Sequence, residues 1–121
     1  MNCIKLALIG LALGSAASIA GECTAPSLPT LPDGTTATLE QMLTGQKAVK
    51  DFQAANSAYR ECLDPLVSAA EVQAAGDSPS EEAQATLKQL NDDYNGSVSR
   101  EEELADKFNT ELRNYKAANP G

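Results

Sequence analysis

The chain has 121 residues, with seventeen Asp and Glu against nine Lys and Arg, no histidine, and a formal net charge of −8. An acidic chain with scattered bases excludes nucleic-acid binding, which needs clustered Lys and Arg to neutralise phosphates, and excludes attraction to anionic membrane surfaces on the same ground. A chain without histidine lacks the usual general base, the Ser-His and Cys-His nucleophile pairs and most zinc sites, so neither an enzyme activity nor a cofactor is expected.

The N-terminus comes first. Met1 to Lys5 carries one positive charge, residues 6–13 read LALIGLAL, and residues 14–20 are mostly small. That pattern predicts a cleavable secretory signal over residues 1–20, cut after Ala20, with Ala17 as the alternative. The apolar run falls short of the roughly 20 residues that span a bilayer, so no membrane insertion is expected after cleavage. Glu22 before Cys23 argues against a lipid anchor there. Lys5 leaves with the leader and all acidic residues stay, taking the net charge from −8 to −9. Cys3 also leaves, and Cys23 and Cys62 remain as an even pair. In an exported protein, periplasmic or extracellular, that pair is expected to form a disulfide, the alternative being two free thiols.

Residues 21–37 read as an extended arm. Pro26, Pro29 and Pro32 recur every third residue, the turn length of polyproline II, with Leu28 and Leu31 on another face. The arm is expected to lie on its own helix, with a Pro-rich ligand for a recognition domain as the alternative.

Residues 38–118 read as a helical hairpin. Thr38 and Gln41 have the spacing of a capping box. Leu39, Met42, Val49, Phe52, Tyr59, Leu63, Leu66 and Ala70 then step by three and four, with Gly45 and Asn56 completing the stripe. Ala48, Ala55, Cys62 and Ala69 form a row beside it. Pro65 predicts a kink, and Gly76 a left-handed helix end. Ser78, Pro79 and Glu81 predict the next helix start. From there Leu87, Leu90, Tyr94, Val98, Glu101, Ala105, Phe108, Leu112 and Tyr115 form the second stripe.

A turn of about three residues makes the two helices antiparallel. It opposes Tyr59 to Tyr94, Leu66 to Leu87, Met42 to Leu112 and Gly45 to Phe108. The predicted fold is therefore all-α, a long two-helix hairpin with a disulfide-linked arm. Thr38 to Cys62 spans about 36 Å of helix, and the arm reaches about 46 Å as polyproline II. The disulfide can close only if the arm doubles back along the first helix, with Leu28 and Leu31 on the alanine row.

Residues 91–102 resemble an EF-hand calcium loop. Asp93, Asn95, Gly96, Ser99 and Glu102 fall at positions 3, 5, 6, 9 and 12, and Val98 at the aliphatic position. Against this stand Asn91 at position 1, where an aspartate is expected, and an apolar stripe that runs through the segment as one helix. The helical reading is preferred, and no metal site is assigned; a calcium-binding module remains the alternative function. The remaining acidic run, Arg100 to Glu103 with Asp106, reads as a solvated face.

The chain is similar to a group of small exported all-helical proteins of Gram-negative bacteria with no assigned activity. The resemblance rests on Cys23 with its Pro-rich arm, Pro32-Asp33-Gly34, Glu40-Gln41-Met42, Tyr59 with Cys62, Lys107-Phe108-Asn109 and residues 112–116 (LRNYK). It implies an exported helical protein and lends no catalytic residues. The expected role is a non-catalytic envelope module for binding, scaffolding or chaperone-like work on an unknown protein partner. Two helices bury little, so a homodimer completing a four-helix bundle is also expected.

Overall fold

A computed structural model describes residues 23–121, so the leader expected over 1–20 lies outside the described residues. Two helices follow the arm: α1, Leu39–Ala74, and α2, Glu81–Ala118. The start of α1 is the one its sequence predicts. Thr38 Oγ1 accepts the Gln41 N–H at 3.1 Å, and Gln41 Oε1 accepts the Thr38 N–H at 2.9 Å. This reciprocal pair satisfies donors that the helix itself leaves orphaned, and losing such a cap costs about 1 kcal/mol.

The helix continues through Pro65. Proline cannot donate to the carbonyl four residues back, here that of Glu61. Both residues are exposed, so water can reach that carbonyl.

The turn between the helices departs from expectation. Ala75, in ordinary right-handed backbone, caps α1 by donating its N–H to the Glu71 carbonyl. Gly76 is not left-handed; among the described glycines only Gly121 has a positive φ. Ser80, rather than Ser78, caps α2 by accepting the Ala83 N–H at 3.0 Å. That choice places Glu81 and Glu82 in the first turn, against the positive end of the helix dipole. The connection is thus about twice as long as its Gly and Pro signals imply.

The helices pair along a heptad seam. Met42, Gly45, Val49, Phe52, Asn56, Tyr59, Leu63 and Ala70 are the buried residues of α1. Their alternating steps of three and four residues keep one face toward the partner. Leu90, Ser97, Leu104 and Phe108 are the buried residues of α2. Two apolar clusters result. One, near the turn, gathers Tyr59, Leu63, Ala70 and Leu90, with Leu66, Leu87 and Tyr94 packed against it. The other gathers Met42, Val49, Phe52, Leu104 and Phe108, with Leu31, Leu112 and Tyr115 alongside. The expected oppositions are consistent with these groupings.

Three expected stripe positions differ. Leu39 is 59% exposed. On α2 the centre of the buried face runs through Ser97 and Leu104, while their neighbours Val98 and Ala105 are half-buried. At Val98 and Ala105 the predicted stripe is one position off, because the seam places a serine where an apolar residue is expected.

Candidate functional site

The arm is fastened at both ends. Cys23 is bonded to Cys62 on α1, with Cα atoms 5.7 Å apart. This is the predicted pair, and Cys23 is buried by it. The arm then doubles back along α1, as its length requires, but with a different face inward. Pro26, Pro29 and Pro32 are half-buried, whereas Leu28 is 52% exposed. Leu31 reaches the second apolar cluster. Of the alanine row, Ala48 and Cys62 are partly covered, and Ala55 and Ala69 are exposed. The rigid proline rings, with no N–H to satisfy, pack against the helix together with Leu31, and only Leu28 is turned outward.

Pro32 explains Gly45. A Cβ at Gly45 would lie 2.7 Å from Pro32 Cδ and 3.3 Å from Phe108 Cε2. The missing side chain lets the arm and α2 meet over one spot of α1. Two residues on, the arm turns. The Asp33 carbonyl accepts the N–H groups of Thr36 and Ala37 at 3.1 and 2.8 Å. Asp33 Oδ1 accepts the Thr35 N–H at 3.0 Å, an Asx turn.

At the tip of this turn Gly34 lies against the backbone of α2. Its N–H donates to Glu111 Oε2 at 2.6 Å. Any Cβ there would meet the carbonyl of Glu111 and come within 2.9 Å of Tyr115 N. Glycine is needed here for close approach. Asn114 Nδ2 also donates to Glu111, at 3.4 Å. The arm is therefore clasped to α1 by sulfur and to α2 by a charge-assisted hydrogen bond. Gly34 and Glu111 escape a reading of spacing, because they meet 77 residues apart in sequence.

Between the arm and the first turns of α1 lies an open groove of about 510 Å³. Leu31, Ala37 and Ala48 supply apolar wall, Thr30, Thr36 and Thr44 supply hydroxyls, and Asp33 and Glu40 supply carboxylates. Such a surface can hold a chain by hydrogen bonds and contact, with negative charge at its rim.

A second polar constellation sits in the seam itself. Asn56 and Ser97 are fully buried. Asn56 Nδ2 donates to the Ser97 carbonyl at 2.9 Å, and Ser97 Oγ donates to Asn56 Oδ1 at 2.8 Å. Arg60 Nη1 donates to Ser97 Oγ at 3.1 Å, and its Nη2 lies 3.4 Å from Glu101 Oε2. Every buried side-chain nitrogen and oxygen among the described residues has a partner. This layer separates the two apolar clusters and fixes which residues face one another, the use best attested for a buried polar group in a helical seam. Nearby, burial raises the pKa of Tyr59 above its ordinary value, and Asp93 pushes the same way while Arg100 opposes.

The calcium reading of residues 91–102 meets a contrary geometry. The whole segment is helix, which spreads Asn91, Asp93, Asn95, Ser99 and Glu102 around the axis instead of folding them about a centre. Among the described residues no three His, Cys, Asp or Glu side chains gather where they could hold a metal ion. Nor is any helix there long and apolar enough to cross a membrane. No protein-family profile, curated protein or solved structure matches the chain.

Proposed function

We propose that the chain is an exported, non-catalytic envelope protein that binds a partner protein through the groove between its arm and the start of α1. The observation that carries this reading is the groove's construction. The twelve residues from Cys23 to Gly34 are without helix or strand and are fastened by a disulfide at one end and by the Gly34–Glu111 bond at the other. A binding surface prepared in this way loses little conformational entropy when occupied. Its carboxylates at Asp33 and Glu40 favour an extended segment bearing Lys or Arg.

The leader pattern supports export, and a disulfide that persists belongs to an oxidising compartment. The absence of histidine and the commitment of both remaining cysteines to one bond support a role without catalysis.

Thr44 is exposed on the groove wall, so Thr44→Trp fills the groove while leaving the helix pair intact. Envelope proteins retained on the immobilised wild-type chain and lost from Thr44→Trp are the expected result. Equal retention by both removes the groove as the binding surface.

A further inference from the structure

The arm covers one flank of the hairpin and leaves the other bare. With about 100° between successive residues, Cys62 and Gly45 place the arm on one side of the α1 core stripe. The opposite side carries Leu39 and Leu43, exposed by 59% and 56%. The corresponding side of α2 carries Val98, Ala105 and Leu112, each half-buried by the hairpin alone. We propose that this bare flank is a self-complementary interface on which a second copy of the chain packs, giving an antiparallel four-helix bundle.

Register supplies the argument. Asn56 stands level with Ser97, and Gly45 with Phe108, so each step along α1 matches a step back along α2. Consider a two-fold axis running along the helices between two flanks set face to face. It lays α1 of one copy over α2 of the other, antiparallel and at the same level. Leu112 of the second copy then falls between Leu39 and Leu43. Lys50 comes level with the second copy's Glu102, and Asp64 with its Lys88. The axis repeats each contact in reverse, as an isologous interface requires. These charges lie at the outer edge of the flank; the row nearer its middle holds Gln46, Gln53, Val98 and Ala105, and the one charge in it, Arg60, is already paired with Glu101 of its own chain.

The area is also adequate. Leu39 to Val67 spans about 42 Å of helix. Two helices side by side at about 8–10 Å make a face of about 800 Å² per copy, the size of a standard stable interface. The groove lies on the other flank and remains open in such a dimer.

Sedimentation equilibrium of the disulfide-bonded chain tests the proposal. A dimer is expected at about 100 µM. Leu43→Glu should weaken it by about 30-fold or more while leaving the circular-dichroism melt of the monomer in place. Lys50→Glu and Glu102→Lys should each weaken it by about fivefold, and the two together in one chain should restore it. A wild-type chain that stays monomeric at that concentration overturns the proposal. So does a dimer indifferent to Leu43→Glu, or a double charge swap no better than either single one.

Discussion

Replacing Gly34 by alanine tests the clasp most directly. The added methyl would lie 2.8 Å from the carbonyl carbon of Glu111 and 2.9 Å from Tyr115 N. The Glu111 carbonyl oxygen would be closer still, and resting contacts lie at about 3.5–4.0 Å, so more than about 1 Å of movement is required. The backbone of α2 is held by its own hydrogen bonds, and the turn at residues 33–36 must lift instead. Lifting it separates Gly34 N–H from Glu111 Oε2, now 2.6 Å away. A hydrogen bond to a charged acceptor contributes about 1.5–3 kcal/mol. The disulfide still tethers the far end, so the loss stops at the clasp, and about 2–3 kcal/mol is expected in all. With a urea slope of about 1–3 kcal/mol per molar, the unfolding midpoint should fall by about 1–2 M. Glu111→Gln keeps the shape and removes the charge, for about 1 kcal/mol. A Gly34→Ala midpoint unchanged from wild type would mean that the arm's tip does not rest on α2.

Replacing both Cys23 and Cys62 by serine opens a loop of 39 residues. Chain entropy sets the loss at about 4 kcal/mol, read as the difference in unfolding free energy between the two proteins. Asn56→Ala should cost about 1–3 kcal/mol in the same assay, because Ser97 loses a buried partner. Asn56→Leu combined with Ser97→Ala should recover most of that, since an apolar pair leaves nothing unsatisfied. The pKa of Tyr59 is higher folded than unfolded, so the folded state holds that proton more tightly. Its contribution to stability is complete below the ordinary tyrosine value and is lost as pH rises through the folded one. Tyr59→Phe should flatten the fall in melting temperature above about pH 10.

Much of the fold was legible because helical periodicity and caps are local signals. Thr38 and Gln41 announced the start of α1, and the three-and-four spacing through Met42, Phe52, Tyr59 and Leu63 named its buried face. The disulfide followed from cysteine parity and from the reach of the arm. What escaped was decided by tertiary contact. Ser78 and Ser80 both have the chemistry of a cap, and spacing alone does not choose between them; the structure uses Ser80. The inward face of the arm depended on whether proline rings or leucines fitted beside Gly45, a matter of shape that composition does not carry. Gly34 and Glu111 are ordinary residues in the sequence, and their role arises only when a turn at one end of the chain reaches the other.

The misplaced stripe on α2 carries a physical lesson of its own. Periodicity counts apolar residues, and Val98 and Ala105 are apolar at the right spacing, yet the seam runs through Ser97 and Leu104. A helix serving one partner has no use for a second apolar row one position away. Leu39 and Leu43 on α1 stand on the same flank, more than half exposed. Two independent segments thus place surplus apolar surface on the side the arm leaves bare. On the side it covers, Pro32, Gly34, Gly45 and Cys23 each have a contact that accounts for them, and Leu28 is the large apolar side chain left exposed. A flank that keeps Leu39 and Leu43 exposed and leaves Val98 and Ala105 only half-buried, with complementary charges level at its edge, is what a second copy would need to find there.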